Sequence, residues 1–258
     1  MKKIISTLTF IFIFMLALTS IANAEFNDET IVTDRPDFTE SSHTINSGHY
    51  QIEAGYTFLN NDDNGESSRE HTLPEILTRI GLTDKTELRL LFTGYERSDV
   101  EGSRSEGVSD FGIGFKHRIS KQEGYLPDIS TIGELFIPTS EDSDELSVGF
   151  KFIWSYDLER FSLAGNINFS ALEGEEERFL EYANSVALGF SLSDRIGTYV
   201  EYFGLYPVDD VVEPSQSLLN GGFTYLVNND LQLDIRAGFG LNSAAADGFY
   251  GLGFSYRR

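Results

Sequence analysis

The stretch LSVGFKFIWSYD, residues 146–157, alternates apolar and polar side chains at nearly every second position. Leucine, valine, phenylalanine, tryptophan and tyrosine fall on one face, and the other face is mainly serine, glycine, lysine and aspartate. Successive side chains of a β-strand point to opposite faces, so this period of two predicts a strand with one apolar and one polar face.

The same period recurs in segments of about ten residues from residue 49 onward, and helical periodicity is absent beyond the first 24 residues. The linkers between these segments are alternately long and short. An even number of strands, joined by short turns at one end and longer loops at the other, is typical of an outer-membrane β-barrel. The twelve predicted strands are roughly 49–59, 72–82, 86–96, 108–119, 125–138, 145–157, 160–170, 179–192, 196–206, 217–227, 230–241 and 248–258.

Composition narrows the function classes. The chain has 258 residues, 41 acidic and 19 basic side chains, no cysteine and a formal net charge of -22. A hydrophobic content of 40% is too high for a disordered chain. The absence of cysteine excludes disulfides, thiolate metal sites and a thiol nucleophile. The acidic balance argues against nucleic acid as a partner, because phosphate binding needs basic surface.

The first 24 residues have the organisation of a secretory signal peptide. Lys2 and Lys3 precede an apolar run over residues 4–18, and Ala22-Asn23-Ala24 is a small-x-small cleavage site. We therefore assign residues 1–24 as signal peptide, residues 25–48 as an N-terminal segment and residues 49–258 as the barrel. No later stretch is long and apolar enough for a membrane helix, so an exported membrane protein with this sequence must be a barrel.

The polar faces of the predicted strands distinguish a membrane barrel from a soluble one. In a soluble twelve-stranded barrel the apolar faces would point inward, around a lumen too wide for side chains to fill. A face of mixed charge costs little against a wet lumen and much in a dry core. We therefore predict an all-β, antiparallel transmembrane barrel with its apolar faces in lipid. The predicted lumen-facing charges are Glu53, Glu75, Arg79, Glu87, Arg89, Asp110, Lys116, Arg118, Glu134, Lys151, Glu201, Asp234 and Arg236.

The N-terminal segment is polar for its position. Asp34, Arg35 and Asp37 could fold into the lumen and pair with the wall charges, narrowing the channel. A periplasmic linker or cap is the alternative. Proline restricts the preceding residue to extended backbone, so Arg35-Pro36 favours an ordered segment.

Several motifs resemble the outer-membrane "MetA-pathway of phenol degradation" family. The N-terminal signature is Thr33-Asp34-Arg35-Pro36-Asp37-Phe38-Thr39-Glu40-Ser41-Ser42, followed by Ile45, Gly48, Gln51, Glu53 and Gly55. Strand motifs such as Asp110–Lys116 and Asp234–Leu241 extend the likeness over nearly all of residues 25–258. The resemblance implies an outer-membrane barrel that passes small compounds, aromatic ones among them. The chain departs from the family pattern after Pro138-Thr139 and lacks a terminal phenylalanine.

Two functions follow as hypotheses: a channel for small solutes, or a plugged structural or adhesive barrel without transport. No Gly-x-Ser-x-Gly motif occurs and no two of the four histidines have ligand spacing, so we expect neither catalysis, nor a metal, nor another cofactor. The expected partners are outer-membrane lipid, lipopolysaccharide, the barrel-assembly machinery and a small solute.

The long linkers predict a charged rim. They carry 18 acidic residues against four arginines, which gives a net charge of -14 at one end of the barrel. Such a rim favours cationic or neutral solutes over anions, and salt screens the preference. The long linkers are residues 60–70, 97–107, 139–144, 171–178, 207–216 and 242–247.

Overall fold

A computed structural model describes residues 29–63, 66–100, 102–141, 143–173, 178–208 and 214–258. The predicted signal peptide lies outside the described residues, as do parts of several predicted loops. None of the described residues forms a helix long and apolar enough to cross a membrane. The strands are β1 (Tyr50–Asp63), β2 (Glu66–Thr83), β3 (Thr86–Phe92), β4 (Tyr95–Val100), β5 (Ser103–Val108), β6 (Phe111–Ser120), β7 (Asp128–Ile137), β8 (Ser147–Leu158), β9 (Phe161–Leu172), β10 (Phe179–Ser191), β11 (Ile196–Pro207), β12 (Gln216–Asn228), β13 (Leu231–Gly240) and β14 (Gly248–Arg257).

Twelve of these strands close into an antiparallel barrel, which confirms the predicted fold. Neighbours follow the order β1-β2-β3-β6-β7 and then run in sequence to β14, which pairs with β1. Because the strands run alternately up and down, two ends can be defined. The start of β1, the end of β14 and the β2–β3, β6–β7, β8–β9, β10–β11 and β12–β13 connections lie at the turn end; the other connections lie at the loop end.

The prediction of long loops is wrong for two stretches, whose backbones are paired as β-strands. Residues 60–63 and 66–70 continue the β1–β2 ladder, and residues 95–108 form the β4–β5 hairpin beside the loop-end half of β2. These stretches are rich in Ser, Arg, Asp and Glu, so they lack the apolar alternation that revealed the other strands. Backbone hydrogen bonding holds them as strands regardless.

The predicted strand 86–96 is also interrupted. Thr93 and Gly94 separate β3 from β4, and Gly94 has a φ of 96°, a conformation that glycine adopts without steric cost. β2 therefore pairs with β3 along its turn-end half and with β4 along its loop-end half.

The barrel is apolar outside and polar inside. Phe115, Phe169 and Leu252 are more than half exposed on the outer surface, whereas Arg79 and Lys116 are fully buried in the interior. A soluble protein has the reverse arrangement, because exposed apolar surface on this scale costs free energy in water. The outer surface is suited to contact with lipid, and the buried charged side chains lie in the lumen.

Candidate functional site

Residues 29–48, here called the inner segment, run into the lumen and back. Ile31 N donates to Asn229 O at the β12–β13 turn (2.8 Å). Further along, Thr39 N donates to Glu201 in the middle of β11 (2.6 Å). Thr44 Oγ1 then donates to Asp84 O at the β2–β3 turn (3.2 Å). The segment thus enters at the turn end, reverses inside the barrel and returns to the turn end before β1 begins.

The inner segment is bonded to most of the barrel wall. Hydrogen bonds or ion pairs join it to ten of the twelve barrel strands, so it crosses the lumen rather than following one side of it. The wall partners are Glu53 (β1), Arg79 and Glu75 (β2), Arg89 and Glu87 (β3), Lys116 (β6), Ser130 (β7), Lys151 and Ser155 (β8), Ser185 (β10), Glu201 (β11), Asp234, Gln232 and Arg236 (β13), and Arg257 (β14).

Asp34 lies at the centre of a buried ionic network. Arg89 Nη1 is 2.6 Å from Asp34 Oδ2, and Lys116 Nζ is 3.0 Å from both carboxylate oxygens. Arg79 Nη1 is 3.5 Å away and also pairs with Glu87 through its Nε at 2.8 Å. Each of these three cations is at most 1% exposed. Charged hydrogen bonds are strong in such a place, and a charge that loses its partner there costs several kcal/mol unless water replaces the partner.

Glu40 supplies a second carboxylate to the same side of the wall. Arg89 Nη2 and Lys151 Nζ are each 2.5 Å from its oxygens. On this side the wall itself carries four cations against three carboxylates (Arg79, Arg89, Lys116 and Lys151; Glu53, Glu87 and Glu134). With Asp34 and Glu40 of the inner segment, the balance becomes five carboxylates against four cations, and each of these two carboxylates contacts at least two of the cations.

Arg35 is paired with acidic residues of the wall. Its Nη1 is 3.0 Å from Glu75 Oε2, and its Nη2 is 3.3 Å from Asp234 Oδ1. The guanidinium lies in a slot made by Gly55 and Gly253, which are paired across β1 and β14. A β-carbon at Gly55 would lie 2.3 Å from the guanidinium, and one at Gly253 would lie 2.4 Å from Arg35 Nε. Only glycine at both positions leaves room for this arginine.

Glu201 binds the part of the segment that reaches deepest into the lumen. Its carboxylate accepts from Phe38 N (2.9 Å), Thr39 N (2.6 Å) and Thr39 Oγ1 (2.6 Å). Asn220 Nδ2 donates to the same carboxylate from β12 at 2.6 Å. One buried wall carboxylate thus fixes two successive backbone amides of the segment.

An apolar cluster lies beside Glu201. Phe203, Leu218, Phe249 and Ala245 are buried together, with Phe38 and Leu59 packed against them. The Phe38 and Phe203 rings are stacked at a centroid distance of 4.6 Å, and Phe249 meets Phe203 edge-on at 6.5 Å. The lumen is therefore not uniformly polar.

Two acids of the inner segment have opposite pKa shifts. Burial alone would raise the pKa of Asp34, but Arg79, Lys116 and Arg89 together hold it well below its ordinary value. Burial, followed by the neighbouring Glu201 carboxylate, raises the pKa of Asp37 well above its ordinary value. The docked position thus favours the charged form of Asp34 and disfavours the charged form of Asp37.

The residues of the predicted wall lie on two sides of the inner segment and at the two ends of the barrel. Glu53, Arg79, Glu87, Arg89, Lys116 and Glu134 surround the inner segment on one side, and Glu201, Asp234 and Arg236 lie on the other. Arg118 is at the turn end, where it donates to Asp84 O. Asp110 is at the loop end and accepts from Thr139 N, Ser140 N and Ser143 Oγ, so it shapes a loop. Pro36 O accepts from Arg236 Nη1 at 2.9 Å.

Sequence reasoning missed the neutral part of the wall. Ser185 accepts from Thr39 Oγ1 at 2.7 Å, and Ser130 donates to Ser42 O. Tyr199 points its hydroxyl into the interior without a hydrogen-bond partner among the described residues. The period of two predicts that these residues lie on the inner face. It does not indicate which of the neutral side chains contact the inner segment.

A cavity of about 400 Å³ lies at the turn end, between the two arms of the inner segment and the wall. Thr30 and Val32 line it from one arm, Thr44 and Ile45 from the other, and Arg118 from β6. Within the described ranges, no three His, Asp or Glu side chains are arranged to hold a metal ion.

Comparison with known proteins identifies the family. The family model described as "Putative MetA-pathway of phenol degradation" matches residues 33–257. A search of curated protein sequences finds no significant match. Among solved structures, an outer membrane channel from Pseudomonas putida F1 is similar with a TM-score of 0.66 and 11% identity, over 92% of this chain and 100% of that one.

Two further solved structures share the architecture. The translocator domain of the autotransporter NalP from Neisseria meningitidis has a TM-score of 0.55 and 12% identity, over 81% of this chain and 88% of that one. The NanC porin has a TM-score of 0.52 and 8% identity, over 80% and 98%. At such identities the likeness establishes the fold, which is that of outer-membrane β-barrels.

Proposed function

The chain belongs to the MetA-pathway of phenol degradation family, and we propose that it is an outer-membrane channel for small solutes that its own inner segment closes. Hydrophobic or aromatic compounds are the solute class that the family description favours. The similar structure from Pseudomonas putida, itself described as an outer membrane channel, supports the same class of protein.

The observation that carries the proposal is the charge complementarity between the inner segment and the wall. The segment presents Asp34 and Glu40 to the basic side and Arg35 to the acidic side. Both sets of wall charges can be hydrated by water if the segment leaves. A dry apolar core offers no such alternative, because its exposure to water is costly. The lumen is therefore built to be stable both closed and water-filled.

An open lumen would carry a field across its width. Without the segment, Arg89, Lys116 and Lys151 lie on β3, β6 and β8, and Asp234 lies across the lumen on β13. A solute passing between them would be oriented by its dipole, and its rate would depend on salt. The acidic loop end adds a preference for cationic or neutral solutes.

The alternative function is a plugged structural or adhesive barrel. The complete burial of Arg79, Arg89 and Lys116 favours it, because a network that is never hydrated gives permanent closure. The two functions differ in one measurable respect, the passage of ions when the segment is weakened.

Single-channel conductance in planar bilayers tests the proposal. We expect rare openings for residues 25–258, a steady and larger conductance for a chain beginning at residue 47, and intermediate behaviour for the Asp34→Asn/Glu40→Gln variant. Ser185→Ala, on the neutral wall, serves as the matched control. Silence of all variants, with the folded barrel verified by heat-modifiable gel mobility, would establish the structural alternative.

Location and partners are tested separately. We propose that the protein resides in the outer membrane, contacts lipid and lipopolysaccharide, and is inserted by the barrel-assembly machinery. Fractionation should recover it only with detergent, and depletion of the assembly machinery should lower its level. Recovery from the periplasm without detergent would contradict this location.

A further inference from the structure

The Phe38–Phe203 stack differs from every other contact described between the inner segment and the wall. Those contacts are hydrogen bonds, ion pairs or glycine slots, whereas this one joins two aromatic rings with an interplanar angle of 8°. Phe38 is the only member of the cluster that the inner segment contributes; Phe203, Leu218, Phe249 and Leu59 belong to the wall, and Ala245 to the loop after β13.

The wall forms a seat for one flat ring. Phe203 supplies a face, and Phe249 stands at 62° to it. The Phe249 ring lies over Gly238, which leaves room for it, since a β-carbon at Gly238 would lie 2.5 Å from the ring. Stacked and edge-on partners are the arrangements that an aromatic ring prefers. The seat remains part of the barrel whether or not Phe38 occupies it.

Occupancy of the seat is linked to the position of the inner segment. The backbone amides of Phe38 and Thr39 both donate to Glu201, two residues before Phe203 on β11. The bound amides hold the Phe38 backbone in place, so the ring leaves Phe203 either by rotation about its χ1 bond or together with the released segment. A ligand that takes the seat therefore competes with the docked position of the Phe38 ring.

We infer that the Phe203 seat is a binding site for a neutral, planar aromatic solute, for which Phe38 is a built-in competitor. The inference rests on the proposed function and adds to it the site at which a solute would open its own channel. A ligand shifts such an equilibrium only by binding one state better, and the seat is available only when the Phe38 ring has left it.

The surrounding charges set the class of ligand. The Glu201 carboxylate lies beside the seat, with Asp37 next to Phe38 in the chain, while Arg236 is 5.6 Å from the Phe249 ring. Glu201 loses its two amide donors when the segment is released, and its carboxylate then disfavours an anionic ring. The flat face of Phe203 disfavours a puckered saturated ring of the same size, which cannot stack.

Binding of benzamide to the detergent-solubilised protein tests the inference, measured by saturation-transfer NMR. We expect Phe38→Ala to bind about tenfold more tightly than the unaltered chain, because an aromatic pair contributes up to roughly that factor. Phe203→Leu keeps the apolar volume without the ring and should lose binding. Phe136→Ala, at an inward phenylalanine of β7 outside the cluster, should bind as the unaltered chain does.

Benzoate and cyclohexanecarboxamide are the matched ligands, and both should bind more weakly than benzamide. Equal binding of benzamide to Phe38→Ala and to the unaltered chain would overturn the inference, as would equal losses in Phe203→Leu and Phe136→Ala. Gel mobility verifies that each variant is folded.

Conductance separates this inference from the proposed function. If the variants bind benzamide with the expected order of affinities while none of them conducts ions, the binding site is supported and the channel function is rejected. If the channel opens on loss of the inner segment but benzamide binding ignores Phe38, the channel stands and the inference is overturned.

Discussion

Two sides of the lumen hold the same inner segment by different means. On β2, β3 and β6, Arg79, Arg89 and Lys116 form a fully buried network with the segment's carboxylates. On β9 and β10 the wall is small and neutral, and Ala183 and Ser185 are buried against the interior. The first side binds the inner segment through ion pairs, and the second binds it mainly through the packing of small neutral side chains.

The difference matters because the two kinds of contact differ in cost when broken. A buried charge that loses its partner must be hydrated or left unpaired, at several kcal/mol. A small neutral side chain loses about one hydrogen bond or a little packing. We therefore expect the inner segment to detach first from β9 and β10 and last from the ionic side.

Removing a charge from the ionic side has the largest expected effect. Arg89→Leu removes the cation that lies within 3.1 Å of Asp34, Glu40 and Glu87, and leaves them Lys116, which is 3.9 Å from the two glutamates. We expect it to destabilise the closed barrel by about 3–5 kcal/mol. The midpoint of urea unfolding in detergent micelles, followed by gel mobility, measures this.

A double variant sharpens the interpretation. Adding Asp34→Asn to Arg89→Leu should cost less than the two single changes together, because the partners belong to one network. A loss below about 1 kcal/mol for Arg89→Leu would show that water replaces the network freely, and would remove the distinction between the two sides.

Filling the arginine slot has the next largest effect. Gly55→Ala places a β-carbon 2.3 Å from the Arg35 guanidinium, whose atoms are its three nearest neighbours, so the guanidinium must move away from Glu75 and Asp234. We expect a loss of about 1–3 kcal/mol and more frequent channel openings. Gly149→Ala is the control: it also faces the lumen, but its nearest neighbour would be 3.7 Å away. Similar losses in both variants would mean that the slot does not hold the segment.

The pH dependence of closure follows from Asp37. Its pKa is raised in the docked segment by burial and by Glu201, so the docked state binds a proton more tightly than the released state. Closure should therefore strengthen as pH falls through that raised pKa toward the ordinary value of 3.8. Asp34 has a lowered pKa, so its contribution is lost only at pH values below 3.8.

Opening frequency between pH 7 and pH 4 measures this dependence. Asp37→Asn should abolish it and leave the channel closed more often at pH 7. An unaltered pH profile in Asp37→Asn would assign the pH dependence to another group.

The neutral side should show the smallest effect. Ser185→Ala removes the 2.7 Å hydrogen bond from Thr39 Oγ1, which still has Glu201 Oε1 at 2.6 Å. We expect a loss below about 1 kcal/mol in the same urea experiment. A loss comparable to that of Arg89→Leu would show that fit and charge hold the segment equally.

The predicted strands illustrate how far alternation leads. Each of the twelve barrel strands was located because its outer face is apolar, as in Phe150, Phe152 and Trp154 of β8. The β4–β5 hairpin was missed because both of its faces are polar. These residues are strands because β4 is hydrogen-bonded to β2 and β5 to β4.

The candidate site was predictable in composition but not in arrangement. Asp34 and Arg35 were identified as charges that could enter the lumen, with a cap outside the barrel as the alternative. Nothing in the sequence linked Arg35 to Asp234, 199 residues away, or Thr39 to Glu201, 162 residues away. Phe38 was noted only as part of a motif.

The sequence by itself determined which face of each strand meets lipid, because a period of two sorts side chains without any knowledge of the neighbouring strands. It also determined that the inner face is charged. The tertiary structure decided which of those charges meet, because barrel closure and the path of the inner segment bring together residues that are remote along the chain. Partner choice across a lumen is a property of the closed barrel, and no local pattern encodes it.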